Sequence, residues 1–151
     1  MGHDQCIFCK ILKNELEASF VYKDNIVSAF LDINPVNEGH VLVVPNIHCE
    51  RFTGLPPDTV KEIFFIGQKI LKAIEESKIA CEGANLFLSD GSVAGQEVPH
   101  SHLHIVPRFY GDKHKMGFSH VDTSEKDREA LNNTAKIICK KLGETLRKEI
   151  Q

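Results

Sequence analysis

The segment from residue 96 to residue 108, QEVPHSHLHIVPR, places a histidine at every second position: His100, His102 and His104. In a β-strand, alternate side chains face the same way, so the three imidazoles would project from one face, about 6.6 Å from one to the next. Burying an imidazole costs solvation free energy unless its nitrogens form hydrogen bonds or bind a metal. Three in a row therefore indicate a chemical site rather than a purely structural strand.

A neutral imidazole is a good nucleophile near pH 7, because its ordinary pKa of about 6.5 leaves one ring nitrogen with a free lone pair. The loop before the histidines contains Gly91 and Gly95, where the backbone can approach a ligand and its N–H groups can hold a phosphate oxygen. No Gly-Lys-Ser or Gly-Lys-Thr follows, so the loop is not a P-loop. The residues alone leave open a metal cage, a covalent catalyst or three unrelated histidines.

A second candidate site lies at the front of the chain, where Cys6 and Cys9 form a CxxC pair. Two thiolates at this spacing can bind one zinc ion. Redox chemistry and two buried structural thiols are the alternatives, although a thioredoxin-type pair would lie between a strand and a helix. The chain has no second CxxC, so histidines such as His48 and His100 would complete a zinc site, with Cys49 a further possible ligand. Spacing does not choose among them.

The elements that position these residues follow from the apolar pattern. Two apolar, β-branched runs at 25–33 and 40–44 flank a segment of turn composition and predict adjacent antiparallel strands. Residues 84–89 and 101–106 predict two more strands, paired around the Gly and Ser loop, and Pro107 ends the second of them.

Helical spacing predicts one helix with a broad apolar face from Asp58 to about Lys78. A last helix is predicted after the candidate N-caps Thr123 and Ser124, with apolar residues recurring from Leu131 to Leu146. Together these elements predict an α+β fold: an antiparallel β-sheet with two main helices.

Length and composition favour one domain, because 151 residues can bury a sizeable core without splitting in two. The 18 basic residues are scattered among 21 acidic ones, which excludes a basic nucleic-acid footprint. The sequence contains no signal peptide pattern and no apolar run near membrane-spanning length, so a cytoplasmic protein with no membrane partner is expected. Five cysteines in a reducing compartment predict free or metal-bound thiols.

Several motifs resemble the histidine triad (HIT) family, whose signature is His-x-His-x-His followed by apolar residues. Here it is HSHLHIV at 100–106, and the resemblance extends to CIFCKI at 6–11, AFLDINP at 29–35, GHVLVVPNIH at 39–48 and AGQEVPH at 94–100. The resemblance implies a single HIT domain over residues 1–151, with a core at about 6–108 and a C-terminal helical extension at about 109–151. It also implies a homodimer whose β-sheet extends across both subunits.

The same resemblance implies a nucleotide hydrolase or nucleotidyl transferase with a catalytic set of His100, His102, His104 and Gln96. His102 would attack the α-phosphorus of a nucleoside 5′-phosphoramidate or a related nucleotidyl conjugate, and water would release the nucleoside monophosphate from a nucleotidyl-histidine. His104 and Gln96 match positions that contact the phosphate. The substrate would be a purine nucleotide, with adenosine expected. A dinucleoside polyphosphate hydrolase is the alternative enzyme, and a nucleotide-binding regulatory protein is the alternative of another class.

The family's binding positions carry over residue by residue. Asp32 matches the ligand of the ribose hydroxyls, and apolar residues would line the base pocket: Ile7, Phe8, Ile11, Phe30, Ile33 and Leu42. Nucleotide contacts are also implied at Ser89, Gly95, Gln96, Glu97, Val98, His102 and His104. Ser89 and Glu97 depart from the types common in relatives, and both would lie near the leaving group. A structural Zn²⁺ would be bound by Cys6, Cys9, His48 and His100.

Overall fold

A computed structural model describes residues 5–115, 117 and 128–149 of the chain. The chain divides into two compact units, one ending at His114 and the other beginning at Lys115. The first unit contains the β-sheet and every site residue predicted above, and the second contains a helix. No helix among these described residues combines the length and the apolar character needed to cross a bilayer.

The main elements of the described residues are five strands and three α-helices. In chain order they are α1 (Ile7–Leu12), β1 (Phe20–Lys23), β2 (Val27–Leu31), β3 (Val41–Pro45), α2 (Pro57–Glu75), β4 (Gly83–Phe87), β5 (Leu103–Arg108) and α3 (Arg128–Glu149). The strands form one sheet in the order β1-β2-β3-β5-β4, and every neighbouring pair is antiparallel. The predicted α+β class and antiparallel sheet are confirmed.

The two faces of the sheet carry different side chains, because successive residues of a strand point to opposite sides. One face packs against α2 and forms the larger core, with Val27, Ala29, Val41, Val43, Ile63, Ile66, Leu103 and Ile105 among its members. The other face packs against α1, through Phe8, Cys9, Ile11, Phe30, Leu42 and Val44. Because Leu103 and Ile105 point toward α2, His102 and His104 lie on the α1 face.

Two glycines permit close approaches that place the histidines. Gly67 lies within α2, and a Cβ there would stand 3.0 Å from Leu103 Cδ2, so its absence lets the helix approach β5 closely. Gly39 has φ of +83°, and a Cβ there would stand 3.1 Å from Ile79 Cγ2. Glycine adopts this left-handed backbone without steric cost, so the chain can turn immediately before His40.

The structure corrects the prediction that Pro107 ends the last strand. Pro107 does not end the strand: it lies within β5 and pairs with Ala84 of β4. On the other side, β3 pairs with β5 only from Leu103 to Ile105, so Pro107 has one neighbouring strand and its missing N–H removes no bond to a second strand. The strand also begins later than predicted, and His100 and His102 therefore precede β5 rather than lie within it.

Other boundaries are close to the predictions. The 40–44 run forms β3, the 84–89 run forms β4, and the first long helix ends at Glu75 rather than about Lys78. The periodic apolar residues from Leu131 to Leu146 lie in α3, whereas the N-caps predicted at 123 and 124 fall outside the described residues. The short elements α1 and β1 were not predicted.

Candidate active site

A cavity of about 600 Å³ opens on the α1 face of the sheet, a volume ordinary for a small-molecule site. Its walls come from α1, from β2, β3 and the segment between them, and from β4 with the loop that follows. All but one of the predicted nucleotide-binding residues line it: Ile7, Phe8, Ile11, Phe30, Asp32, Ile33, Leu42, Ser89, Gly95, Glu97, Val98, His102 and His104. The exception is Gln96.

His102 is buried and held by the backbone just before it. Its Nδ1 lies 2.7 Å from the carbonyl oxygen of His100. A carbonyl only accepts hydrogen bonds, so Nδ1 carries the hydrogen and Nε2 keeps the lone pair. Burial lowers the pKa of the ring, and the bond to the His100 carbonyl offsets this only in part. The arrangement gives a neutral imidazole whose Nε2 is ready to act as a nucleophile.

A chain of hydrogen bonds that starts at the backbone determines which ring nitrogen of His104 carries the hydrogen. The Val36 N–H donates to His40 Nδ1 over 3.1 Å, so the hydrogen of His40 resides on Nε2. That Nε2 lies 2.9 Å from His104 Nδ1, which must accept. His104 therefore carries its hydrogen on Nε2 and can donate a hydrogen bond to a ligand in the cavity.

Asp32 completes this group, with its Oδ2 3.7 Å from His40 Nε2. Asp32, His40 and His104 bring their donor atoms within the span of a metal site. Binding a metal through His40 Nε2 would require a hydrogen on Nδ1, where the Val36 N–H already points. Hydrogen bonding, rather than metal coordination, accounts for this group.

The cavity holds its histidines in the neutral form. Burial, followed by the neighbouring rings of His102 and His40, lowers the pKa of His104 to about 3. Burial also lowers the pKa of His40, and the charge of Asp32 counteracts it in part. Phe87 contributes to this burial, since its ring stacks on His104 with centroids 4.3 Å apart.

Cys6, Cys9, His48 and His100 converge behind His102 to form a second site, with all ligand atoms within 4.8 Å of one another. His100 Nδ1 lies 3.5 Å from Cys6 Sγ and 3.6 Å from Cys9 Sγ, and His48 Nδ1 lies 3.3 Å from Cys9 Sγ. Tetrahedral zinc, with bonds of about 2.3 Å to sulfur and 2.0 Å to nitrogen, separates the two atoms by about 3.5 Å. The three sulfur–nitrogen distances therefore match those expected between ligands of one tetrahedral zinc ion.

The other ring nitrogen of His100 supports this fit. Nε2 lies 2.9 Å from the carbonyl oxygen of Pro45 at the end of β3, so it carries the hydrogen and leaves the Nδ1 lone pair toward the cysteines. Histidines that bind metals commonly donate their second N–H to a carbonyl in this way. His100 is fully buried, so its place is with the metal group rather than with the cavity.

Gln96 is the predicted site residue that the structure places elsewhere. Its Oε1 accepts the Gly91 N–H over 2.7 Å, and its Nε2 donates to the Glu50 carbonyl over 2.9 Å. The side chain thus ties the loop after β4 to the segment that follows His48, and it does not line the cavity. Ile33 is at the rim, with 82% of its surface exposed.

The sequence analysis did not name eight of the residues that line the cavity, and two of these, His40 and Phe87, contact His104. His40 stands two residues before Leu42, so the alternation of the β3 segment points it to the same face as that predicted pocket residue. This pattern could have identified it. Phe87 is found only through strand pairing, because it lies opposite His104 in the register of β4 and β5.

Comparison with known proteins agrees with these features. The HIT domain family model matches residues 13–111. The chain belongs to the HIT family. The crystal structure of a HIT family protein from Bacillus anthracis is 38% identical and superposes with a TM-score of 0.84, covering 91% of this chain and 97% of that one.

Two further relatives of this HIT chain bear on its sites. A zinc-bound histidine triad family protein from Mycobacterium smegmatis is 41% identical, with a TM-score of 0.70, over 74% of this chain and 81% of that one. The adenosine 5′-monophosphoramidase of Candida albicans is 34% identical over 71% of this chain and 72% of the relative.

We predict that His104 stays neutral as the pH falls from 8 to about 5, because its pKa is lowered from the ordinary value of about 6.5 to about 3. The hydrogen bonds through His40 predict that the hydrogen of this neutral ring is on Nε2. Long-range ¹H–¹⁵N NMR of histidine-labelled protein distinguishes the two tautomers from the cation. His40→Phe, which removes the donor to Nδ1, should allow the other tautomer. An imidazolium signal from His104 at pH 6 would contradict the assignment.

The lowered pKa of His104 also affects the free energy of unfolding. The pKa in the folded state lies below that in the unfolded state, so the unfolded state binds more protons as the pH falls. The stabilisation that neutral His104 contributes is complete above about pH 6.5 and is lost as the pH falls toward 3.

Proposed function

We propose that this HIT family chain hydrolyses nucleoside 5′-phosphoramidates, or related nucleotidyl conjugates, to the nucleoside monophosphate through a nucleotidyl-histidine on His102. The observation that carries the proposal is the His102 ring itself, with Nδ1 bound to the His100 carbonyl and Nε2 left as the nucleophile at the cavity. The adenosine 5′-monophosphoramidase relative supports the substrate class and adenosine as the nucleoside.

The reaction proceeds in two displacements. In the first, the His102 Nε2 lone pair forms a bond to the α-phosphorus, the P–N bond breaks with its electron pair on nitrogen, and the amine takes a proton from solvent. In the second, a water oxygen attacks the phosphorus, the P–Nε2 bond breaks, and the water proton leaves to solvent. The positive charge of the modified ring is stabilised by the hydrogen bond from Nδ1 to the His100 carbonyl.

The cavity walls match the parts of such a substrate. Phe8, Phe30 and Leu42 offer apolar surfaces for a base, and all three belong to the cluster that joins α1 to the sheet. Asp32 Oδ1 accepts a hydrogen bond from the Asn34 N–H, and the carboxylate has further lone pairs that can accept hydrogen bonds from the ribose hydroxyls. The His104 Nε2–H can donate to a phosphoryl oxygen while the ring stays neutral.

The charge of the cavity disfavours the polyphosphate alternative. Among the described residues that line it, Glu17, Asp32 and Glu97 carry carboxylates, and none is lysine or arginine. Proteins commonly neutralise phosphate oxygens with Arg or Lys side chains or with metal ions. A single phosphate accepting hydrogen bonds from neutral groups suits this cavity better than a polyphosphate chain, which supports a leaving amine.

We expect His102→Ala to abolish AMP release from adenosine phosphoramidate, lowering kcat/KM by at least about 10³-fold because the nucleophile is lost. His114→Ala is the matched control, since that exposed histidine lies outside the cavity, and it should retain activity. Faster release of AMP from a diadenosine polyphosphate by the native chain would favour the alternative hydrolase. Retention of activity by His102→Ala would exclude the covalent mechanism.

We also propose that Cys6, Cys9, His48 and His100 bind a structural zinc ion, as their spacing and the zinc-bound Mycobacterium smegmatis relative support. When bound, such an ion would hold the start of α1 to the segment before β5. The native chain should contain about one zinc per chain, since the four protein ligands close the tetrahedral site.

Metal analysis tests this assignment. Cys9→Ser should lose the zinc and unfold at lower temperature, because metal binding free energy contributes to folding. Cys139→Ser, which changes an exposed cysteine of α3, should keep both the zinc and the unfolding temperature. Full zinc content in Cys9→Ser would contradict the proposed ligands.

We further propose that the chain forms one HIT domain, with its core at 6–108 and an extension at 109–151. Two copies of this domain would pair through β4 into a homodimer. The support is that β4 lies at the edge of the sheet, with no further described strand on its outer side, and that Leu86 on it is 42% exposed. Light scattering should give twice the 16.9 kDa chain mass. Leu86→Lys should yield the monomer and Val21→Lys, on the opposite edge strand β1, should not. A monomeric native chain would contradict the pairing.

A further inference from the structure

The loop between β4 and β5 is clamped so that one carboxylate faces the cavity. Gln96 fastens the loop through the Gly91 N–H and the Glu50 carbonyl. Its neighbours on either side, Gly95 and Glu97, line the cavity. Gly95 has φ of +86°, a left-handed turn that glycine makes without strain. The clamp therefore holds the Glu97 backbone in place while its exposed side chain stands at the cavity wall.

The position of Glu97 corresponds to the leaving-group end of the cavity. The apolar base walls come from α1, β2 and β3, Asp32 directly follows β2, and Phe8 contacts His102 edge-on with ring centroids 5.1 Å apart. Another wall comes from β4 and its loop, with Phe87, Ser89, Gly95 and Glu97. A nucleotide bound with its base against Phe8 and its phosphorus at His102 would direct its leaving group toward this wall.

Glu97 gives this wall of the cavity a negative charge, because its carboxylate side chain lines the cavity together with Gly95 and Ser89. No lysine or arginine lies among the described residues that line the cavity, so no side-chain cation there neutralises this carboxylate. A negative charge at this wall attracts a positive leaving group and repels a negative one.

We propose that Glu97 is a specificity-determining residue that selects phosphoramidates whose leaving amine carries a second, positively charged ammonium group. The inference rests on the proposed phosphoramidate hydrolysis and adds the class of amine to it. The reaction is the P–N cleavage described above, and the distal ammonium takes no part in bond making. Its contact with Glu97 favours binding and orientation of the leaving group.

Three adenosine 5′-phosphoramidates of matched length test the proposal, formed from 1,4-diaminobutane, from butylamine and from 4-aminobutanoate. Their distal groups are cationic, neutral and anionic. In the native enzyme, kcat/KM should be about fivefold higher for the diaminobutane compound than for the butylamine compound, in keeping with an ion pair open to solvent, and lower again for the anionic one. The preference should weaken as ionic strength rises.

Variants separate the charge of Glu97 from its other contributions. Glu97→Gln should bring the cationic and neutral substrates to equal kcat/KM, and Glu97→Lys should favour the anionic substrate. Glu17→Gln, which removes a carboxylate contributed by the α1–β1 segment to the same cavity, should leave the native preference in place.

The outcomes distinguish failure of the proposed role of Glu97 from failure of the proposed hydrolase activity. If the native enzyme cleaves all three compounds with the same preference as Glu97→Gln and Glu97→Lys, the role of Glu97 is overturned and the hydrolase remains. If the native enzyme cleaves none of them, the proposed function fails and the selection by Glu97 fails with it. An equal change of preference in Glu17→Gln would also overturn the role, because the effect would then belong to the total charge of the cavity.

Discussion

The hydrogen bond from His102 Nδ1 to the carbonyl oxygen of His100 is the contact on which the rest of the site depends. At 2.7 Å it fixes both the orientation and the tautomer of the candidate nucleophile. The carbonyl in turn stays in place because the His100 side chain is held at both ring nitrogens, by the Pro45 carbonyl and by the thiols of Cys6 and Cys9. The metal group and the cavity are thus joined through one residue's backbone.

The different hydrogen-bond partners of His100, His102 and His104 explain why three identical side chains differ in the role of their remaining ring nitrogen. Each imidazole has one ring nitrogen bound to a fixed partner, and the other is left for chemistry. His100 and His102 each donate a hydrogen to a carbonyl and keep a lone pair on the other nitrogen, which we propose binds a metal ion in His100 and attacks phosphorus in His102. His104 accepts from His40 and keeps an N–H for a ligand oxygen. Burial then keeps His102 and His104 uncharged, so their roles do not depend on protonation near neutral pH.

Apolar, β-branched runs next to turn residues were enough to predict the central strands, and helical spacing of apolar residues was enough to predict α2. The six-residue helix α1 and the four-residue strand β1 are too short to show a period. Pro107 was misassigned because its effect depends on how far β3 extends beside it, which is a matter of sheet register. Alternation along the chain accounts for the position of Leu103 and Ile105 in the core, on the opposite side from His102 and His104.

The site was less predictable than the fold. Spacing could not choose the partners of Cys6 and Cys9, and the family resemblance selected His48 and His100 from the candidates, although they lie 39 and 91 residues from Cys9 along the chain. The direction of the Gln96 side chain depends on a carbonyl 46 residues away. Contacts over such separations arise from the packing of the sheet, and a local pattern carries no information about them.

The most direct measurement concerns the nitrogen that carries the nucleotide. A phosphoramidate reaction quenched in alkali within the first turnover, then digested and examined by mass spectrometry and ³¹P NMR, would locate the adduct. The account predicts a nucleotidyl group on the peptide that contains His102, bound to Nε2 and absent in His102→Ala. An adduct on Nδ1 or on His104, or single-turnover hydrolysis with no adduct, would contradict it.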